Sequence, residues 1–149
     1  VGIGPNDAGS CSNFIREKLL KKMSKPFADT FLFDGSQSDI DAQLEEQDAF
    51  IDRYGPISVE VLGIGMNGHL GFNEDGVDTL GIAQIMESKT VIVIANGKKK
   101  AEIVAEAILG PVTNRVPASV LQEHPNCIYL LDDEAASLLP ADLPGLQKI

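Results

Sequence analysis

Thr90-Val91-Ile92-Val93-Ile94-Ala95, running into Asn96-Gly97-Lys98-Lys99-Lys100-Ala101, is the stretch that decides the fold. From Thr90 to Ala95 the residues are β-branched or apolar throughout, as in a strand covered on both faces. Gly97 breaks the run, and Ala101, Val104, Ala105 and Ile108 then recur at helical spacing. Upstream, Ser58 to Ile64 (SVEVLGI) reads as a second strand, which opens into a glycine-rich loop from Gly65 to Asp78. Downstream, Pro117 suits the first turn of a short helix through about Glu123, and Cys127 to Leu131 (CIYLL) reads as the last strand.

The first third of the chain follows the same logic. Residues 1–11 are rich in Gly, Pro, Asn and Asp and read as loop. Ser12 is placed to cap a helix through about Ser24, with Phe14, Ile15, Leu19 and Met23 on its apolar face and Pro26 as its stop. Thr30 to Phe33 (TFLF) reads as a short buried strand and Asp34-Gly35 as a turn. After Ser38 a second helix carries Ile40, Leu44 and Ile51 on one face and ends at Gly55-Pro56. The order is α, β, α, β, loop, β, α, α, β. Such alternation predicts an α/β fold over residues 1–149: a single domain with a mostly parallel sheet and helices on both faces, a Rossmann-like three-layer arrangement. Ligands of such sheets bind beyond the carboxyl ends of the strands, where the 65–78 loop and the 96–100 turn both emerge.

Composition narrows the function classes. The chain is 44% hydrophobic and 23% charged, within the globular range. Its apolar runs are too short to cross a bilayer, so no membrane partner is expected. A net charge of −10 argues against nucleic acid, whose binding needs many Lys and Arg on phosphates. Cys11 and Cys127 lie far apart without metal-ligand spacing and read as reduced thiols of a cytoplasmic protein. No secretory leader opens the chain. Its first residue is Val1 rather than Met, which implies that the sequence starts inside something longer or was processed. A homo-oligomer stays open.

Two segments carry chemistry. In Leu62-Gly63-Ile64-Gly65-Met66-Asn67-Gly68-His69-Leu70-Gly71-Phe72-Asn73-Glu74, glycines permit close backbone approaches while Asn67, His69 and Glu74 bring an amide, an imidazole and a carboxylate into one loop. Histidine suits proton transfer near neutral pH, and a nearby carboxylate orients the ring and favours its charged form. A structural histidine in a tight turn is the alternative, and the residues alone leave both open. Gly63-x-Gly65-x-x-Gly68 also matches the bare dinucleotide-binding pattern, but HLGFNEDGVD after it is poor helix, so nucleotide binding is set aside. In the second segment, Lys98, Lys99 and Lys100 are the chain's only run of three cations and sit at a helix start. Free amides there attract anions, so a phosphate is the natural guest; a merely solvated, charged first turn is the alternative. His124, at a helix end, reads as structural, and Asp132-Asp133-Glu134 as the solvent-facing cap of a terminal helix.

At LGIGMNGHLGFNE the chain resembles the glucosamine-6-phosphate deaminase and galactosamine-6-phosphate isomerase family, related to the 6-phosphogluconolactonases. VGIGPNDAGS, FDGSQSDIDAQLEEQDAFIDRYGPI, TLGIAQIMESKTVIVIANGKKKAEIVAEAI and PASVLQEHPNCIYLLDDEAA resemble further family segments in the family's order. Phe72-Asn73-Glu74 falls on the deaminase side, since the lactonases follow the glycine-histidine core with a different stretch. The resemblance implies that His69 opens the pyranose ring, that Glu74 and Asn67 assist it, and that Lys100, with Gly65 and Gly68, binds the sugar phosphate. It implies no metal and no organic cofactor. The expected activity converts an amino-sugar 6-phosphate to a ketose 6-phosphate with release of ammonia; the alternatives are lactone hydrolysis or a non-catalytic sugar-phosphate sensor. Three departures stand out. Asn67 occupies a position where deaminases usually carry Asp. The family's phosphate-binding Ser/Gly/Thr loop and carbon-proton base are expected upstream of Val1. Asp78 runs directly into Thr79 where a lid segment normally lies, so an N-terminal part and a lid segment are expected to be missing.

Overall fold

The computed structural model describes residues 2–71 and 81–145. The chain divides into two compact units, Val1–Gly55 and Pro56–Ile149.

In the first unit, helix α1 spans Cys11–Lys18 and is followed by a 3-10 turn, Leu20–Lys22. Its cap is Ser10, whose side chain accepts from the Asn13 amide, and not Ser12 as expected. Ser12 lies inside the helix and its hydroxyl donates to the Phe33 carbonyl, so it is buried and unavailable as a cap. The helix is also shorter than expected: it ends at Leu19, whose φ of −116° departs from ordinary helical values. Phe14 and Leu19, expected on the packed face, are exposed. Residues 30–33 form no strand; they are held by ring packing instead, with Phe31 edge-on to Phe33 at 5.2 Å and tilted against Phe50 at 6.0 Å. Helix α2, Ile40–Tyr54, starts at Asp39, whose carboxylate accepts from the Ala42 amide, and ends at Gly55 with φ 80°. The buried Gln43 fastens it to the preceding turn, accepting from Asp34 N at 2.7 Å and donating to Asp34 O at 3.0 Å.

In the second unit, strands β1 (Glu60–Gly63), β2 (Val91–Ala95) and β3 (Cys127–Leu131) form a parallel sheet in that order. Glu60 pairs with Val91 and Val91 with Cys127, which sets the carboxyl ends of all three strands along one edge. The intervening helices are α3 (Ile82–Glu87) and α4 (Ala101–Leu109), with 3-10 turns at Lys98–Lys100 and Pro117–Glu123. The α/β parallel sheet matches the expectation. Helix α3 was not expected, although Ile82, Ile85 and Met86 carry its spacing; Ser88 ends it by donating to the Ile85 carbonyl at 2.7 Å.

One face of the sheet makes the core. Leu62, Val91, Val93 and Ala95 pack with Ile103, Val104 and Ala107 of α4 and with Leu121. On the opposite face Val61, Ile94, Ile128 and Leu130 are exposed. Cys127 is half-buried, and burial pushes its thiol up to about 11, so it behaves as a core group rather than a reactive one. Among the described residues no helix is long and apolar enough to cross a membrane.

Candidate active site

The parallel register puts Gly63 beside Ile94, so the loop leaving β1 and the turn leaving β2 emerge side by side. Both line one open cavity of about 500 Å³, bounded by Gly63, Ile64, Gly65, Met66, His69, Gly71 and Lys100. That volume falls within the range of small-molecule sites, about 300–1,000 Å³.

The β1 loop is a closed turn that presents His69. Gly68 N donates to Gly65 O at 3.1 Å, and Gly65 N donates to His69 O at 2.9 Å. Gly68 adopts φ 82°, and a Cβ there would lie 2.8 Å from Val116 Cγ1, so both backbone shape and space demand glycine. Its carbonyl accepts from Ala118 N at 2.8 Å, and the fully buried Leu70 anchors the far side of the turn. Gly65 serves differently. A Cβ on it would sit 2.7 Å from His69 Cγ and closer still to Nδ1 and Cε1, so the imidazole lies against the Gly65 Cα. Gly65 lines the cavity; the backbone N–H and C=O of Gly68 are both used within the protein.

Asn67 fixes the ring from the other side. Its Oδ1 lies 2.7 Å from His69 Nδ1 and also accepts from the His69 amide at 3.4 Å. An oxygen that accepts from the His69 amide can only accept from the ring as well, so facing it Nδ1 carries the proton. Nε2 is then the basic nitrogen of the half-buried ring. Glu74, expected to assist His69, lies outside the described residues, as does the junction of Asp78 with Thr79.

Of the three lysines after β2, only Lys100 lines the cavity; Lys98 and Lys99 are exposed. Lys100 Nζ donates to Ile64 O at 2.6 Å, bridging the two loops, and its backbone N donates to Gly97 O at 3.0 Å. Gly97 adopts φ 84°, which favours glycine at the base of this turn. The expectation that free amides of the turn receive a phosphate needs correction at Gly97 and Lys98. Gly97 N donates to both carboxylate oxygens of Asp132, at 3.0 and 2.9 Å, and Lys98 N donates to Glu134 Oε2 at 3.1 Å. These acidic residues therefore do more than face solvent, and residues 135–145 form turns rather than the expected terminal helix. Asp132 Oδ1 still caps locally, accepting from Ala135 N at 2.8 Å.

His124 is structural, as expected, though for a different reason than charge at a helix end. It is buried, its Nε2 pairs with Ser88 O at 2.9 Å, and its Nδ1 accepts from Asn126 N at 3.0 Å, which holds the neutral Nε2–H tautomer. Among the described residues no group of three or more His, Cys, Asp or Glu is placed to hold a metal ion.

The same architecture recurs among sugar-phosphate enzymes of known structure. A monomeric glucosamine-6-phosphate deaminase of the NagB superfamily superposes with TM-score 0.86 at 27% identity, over 93% of this chain and 71% of that one. A 6-phosphogluconolactonase from Trypanosoma brucei shares the fold with TM-score 0.64 at 22% identity, over 93% and 71%. No family model matches the chain. Full-length relatives are closer in sequence. The glucosamine-6-phosphate deaminase of Ligilactobacillus salivarius is 38% identical over 172 residues, covering 93% of this chain and 72% of its own. That of Enterococcus faecalis is 36% identical with the same coverage. The chain belongs to the glucosamine-6-phosphate deaminase family. The matched stretch of 172 positions exceeds the 149 residues here, so at least 23 positions of the relatives within it have no counterpart in this chain.

Proposed function

We propose that this protein converts an amino-sugar 6-phosphate, glucosamine or galactosamine 6-phosphate, to the ketose 6-phosphate with release of ammonia. One observation carries the reading: a histidine held as its Nδ1–H tautomer by Asn67 shares a sugar-sized cavity with the Lys100 ammonium. His69 Nε2 takes the proton from the C1 hydroxyl and returns it to the ring oxygen, which opens the pyranose. A carboxylate base then moves the proton from C2 to C1 while an amine proton passes to the C1 oxygen, and water hydrolyses the resulting imine at C2 to the ketone and ammonia. Glu74 assists the histidine, Lys100 pairs with the phosphate, and Gly65 gives the ring its seat. Gly68 acts on the substrate only through the turn it closes. Neutral Asn67 orients His69 without adding the charge that Asp would bring.

The reading treats the whole chain as one domain, with 93% of it aligned to a single relative. It places the protein in the cytoplasm, in keeping with two unpaired cysteines. The test is ammonia release from each epimeric amino-sugar 6-phosphate by the full-length protein. Turnover of one or both supports the proposal. No ammonia from either, with hydrolysis of a 6-phosphosugar lactone instead, would move the protein to the lactonase chemistry its fold also accommodates.

A further inference from the structure

The carboxylates behind the β2 turn have no part in the chemistry above, yet they take the backbone donors that an anion would otherwise find. We propose that Asp132 is a positioning residue for the Lys100 ammonium, an inference that rests on Lys100 being the phosphate contact. Asp132 stands immediately after β3, and with both oxygens on the Gly97 N–H it clamps the peptide on which the turn is built. Gly97 O in turn receives the Lys100 amide, so Asp132, Gly97 and Lys100 form one chain of bonds from β3 to the cavity. Glu134 repeats the clamp one residue on, at the Lys98 amide. The far end of Lys100 is fixed on Ile64 O, beside Gly65. Each end of the lysine is thus tied to a different strand exit, and a long, flexible side chain is held where an anion in the cavity can meet it. With the Gly97 and Lys98 amides already paired to carboxylates, the Lys100 ammonium is the charged group of the turn that can attract the phosphate.

The test measures binding of inorganic phosphate by titration calorimetry, and steady-state kinetics, for full-length wild type and variants. Asp132→Ala is expected to weaken phosphate about tenfold and raise KM similarly while leaving kcat within about threefold, because a misplaced anchor is lost from ground and transition state alike. Asp132→Asn keeps an acceptor for Gly97 and is expected to restore most of the binding. In a Lys100→Ala background, Asp132→Ala should add less than twofold. If Asp132→Ala fails to fold, Asp132→Ser replaces it: its single, uncharged oxygen cannot meet the Gly97 N–H with two acceptors as the carboxylate does. An altered melting temperature with unchanged phosphate affinity and KM would overturn the inference, as would tighter phosphate binding in Asp132→Ala or an undiminished effect without Lys100. Wild type lacking Lys100-dependent phosphate binding would overturn it too. Absence of ammonia release sinks only the functional reading, since phosphate affinity still decides the role of Asp132.

Discussion

Replacing Gly65 by Ala tests the site more sharply than removing the histidine itself. The new Cβ would lie 2.7 Å from His69 Cγ, whereas ordinary contact begins at 3.4 Å, and the overlap with Nδ1 and Cε1 is larger. The ring must therefore shift by roughly 1 Å, a displacement that can cost about 10²-fold in rate at a reacting group. The backbone has no objection, because Gly65 is not among the residues with positive φ. Asn67 Oδ1, now 2.7 Å from Nδ1, loses its partner as the ring moves. The expected outcome is a kcat for ammonia release reduced about 10²-fold with the fold intact, approaching the loss of about 10²–10⁴-fold typical of removing a general acid-base group. Combined with His69→Gln, Gly65→Ala should add almost nothing, since both act through one ring. Steady-state kinetics alongside calorimetric unfolding would separate these effects. A Gly65→Ala protein that keeps kcat within threefold of wild type refutes the account of His69 as a positioned catalytic group.

Four further outcomes follow from the structure. His69→Gln should lower kcat far more than it weakens phosphate binding, whereas Asn67→Asp should stay active and move the acid limb of its pH–rate profile upward, because a carboxylate favours the protonated imidazole. Thiol alkylation at pH 8 should modify the exposed Cys11 readily and Cys127 slowly: with its thiol pushed up to about 11, its thiolate fraction is roughly 200-fold below an ordinary free thiol's, and its rate should climb with pH. Glu60, at the start of β1, has its carboxyl raised by burial and no partner for its Oε2 among the described residues. A raised acid favours the folded state while protonated and loses that contribution as pH climbs through its folded value, so Glu60→Gln should stabilise at pH 7 and be neutral below about pH 4; equal melting temperatures at pH 7 would contradict this.

What the sequence made legible tracks where local pattern and burial agree. Val91–Ala95, mostly β-branched, and Cys127–Leu131, apolar, are short runs inside a parallel sheet, and that composition announced them. Residues 30–33 have the same composition but no strand beside them among the described residues, so propensity had no ladder to complete. Ser12 looked like a cap because Ser10 and Ser12 are equally good cap residues; the hydroxyl of Ser12 was claimed by Phe33, a contact 21 residues away that no local pattern reveals. His69, Asn67 and Lys100 could be picked out by residue type, since they sit at strand exits where ligands bind. Asp132 and Glu134 could not, because their partners are the amides of Gly97 and Lys98, and backbone donors carry no mark in the sequence.

The glycines of Gly63-x-Gly65-x-x-Gly68 show why a pattern must be read by what each position does. In a dinucleotide fold they serve a phosphate on a helix N-terminus. Here each has a different task. Gly63 has nothing near its missing Cβ and no positive φ, so it is the replaceable one. Gly65 makes room for an imidazole, and Gly68 combines a positive φ with a close approach to Val116 and Ile103. The residue after Gly68 is His69, and the chain turns back through Gly65–His69 bonding instead of starting a helix. The spacing thus encodes a seat for one histidine ring: Gly65 supports its face and Asn67 holds its edge. A substitution at either position reaches the chemistry by a separate route, one steric and one electrostatic. Gly65→Ala and Asn67→Asp should accordingly differ in kind: the first lowers kcat across the pH range, and the second redistributes it along the pH axis.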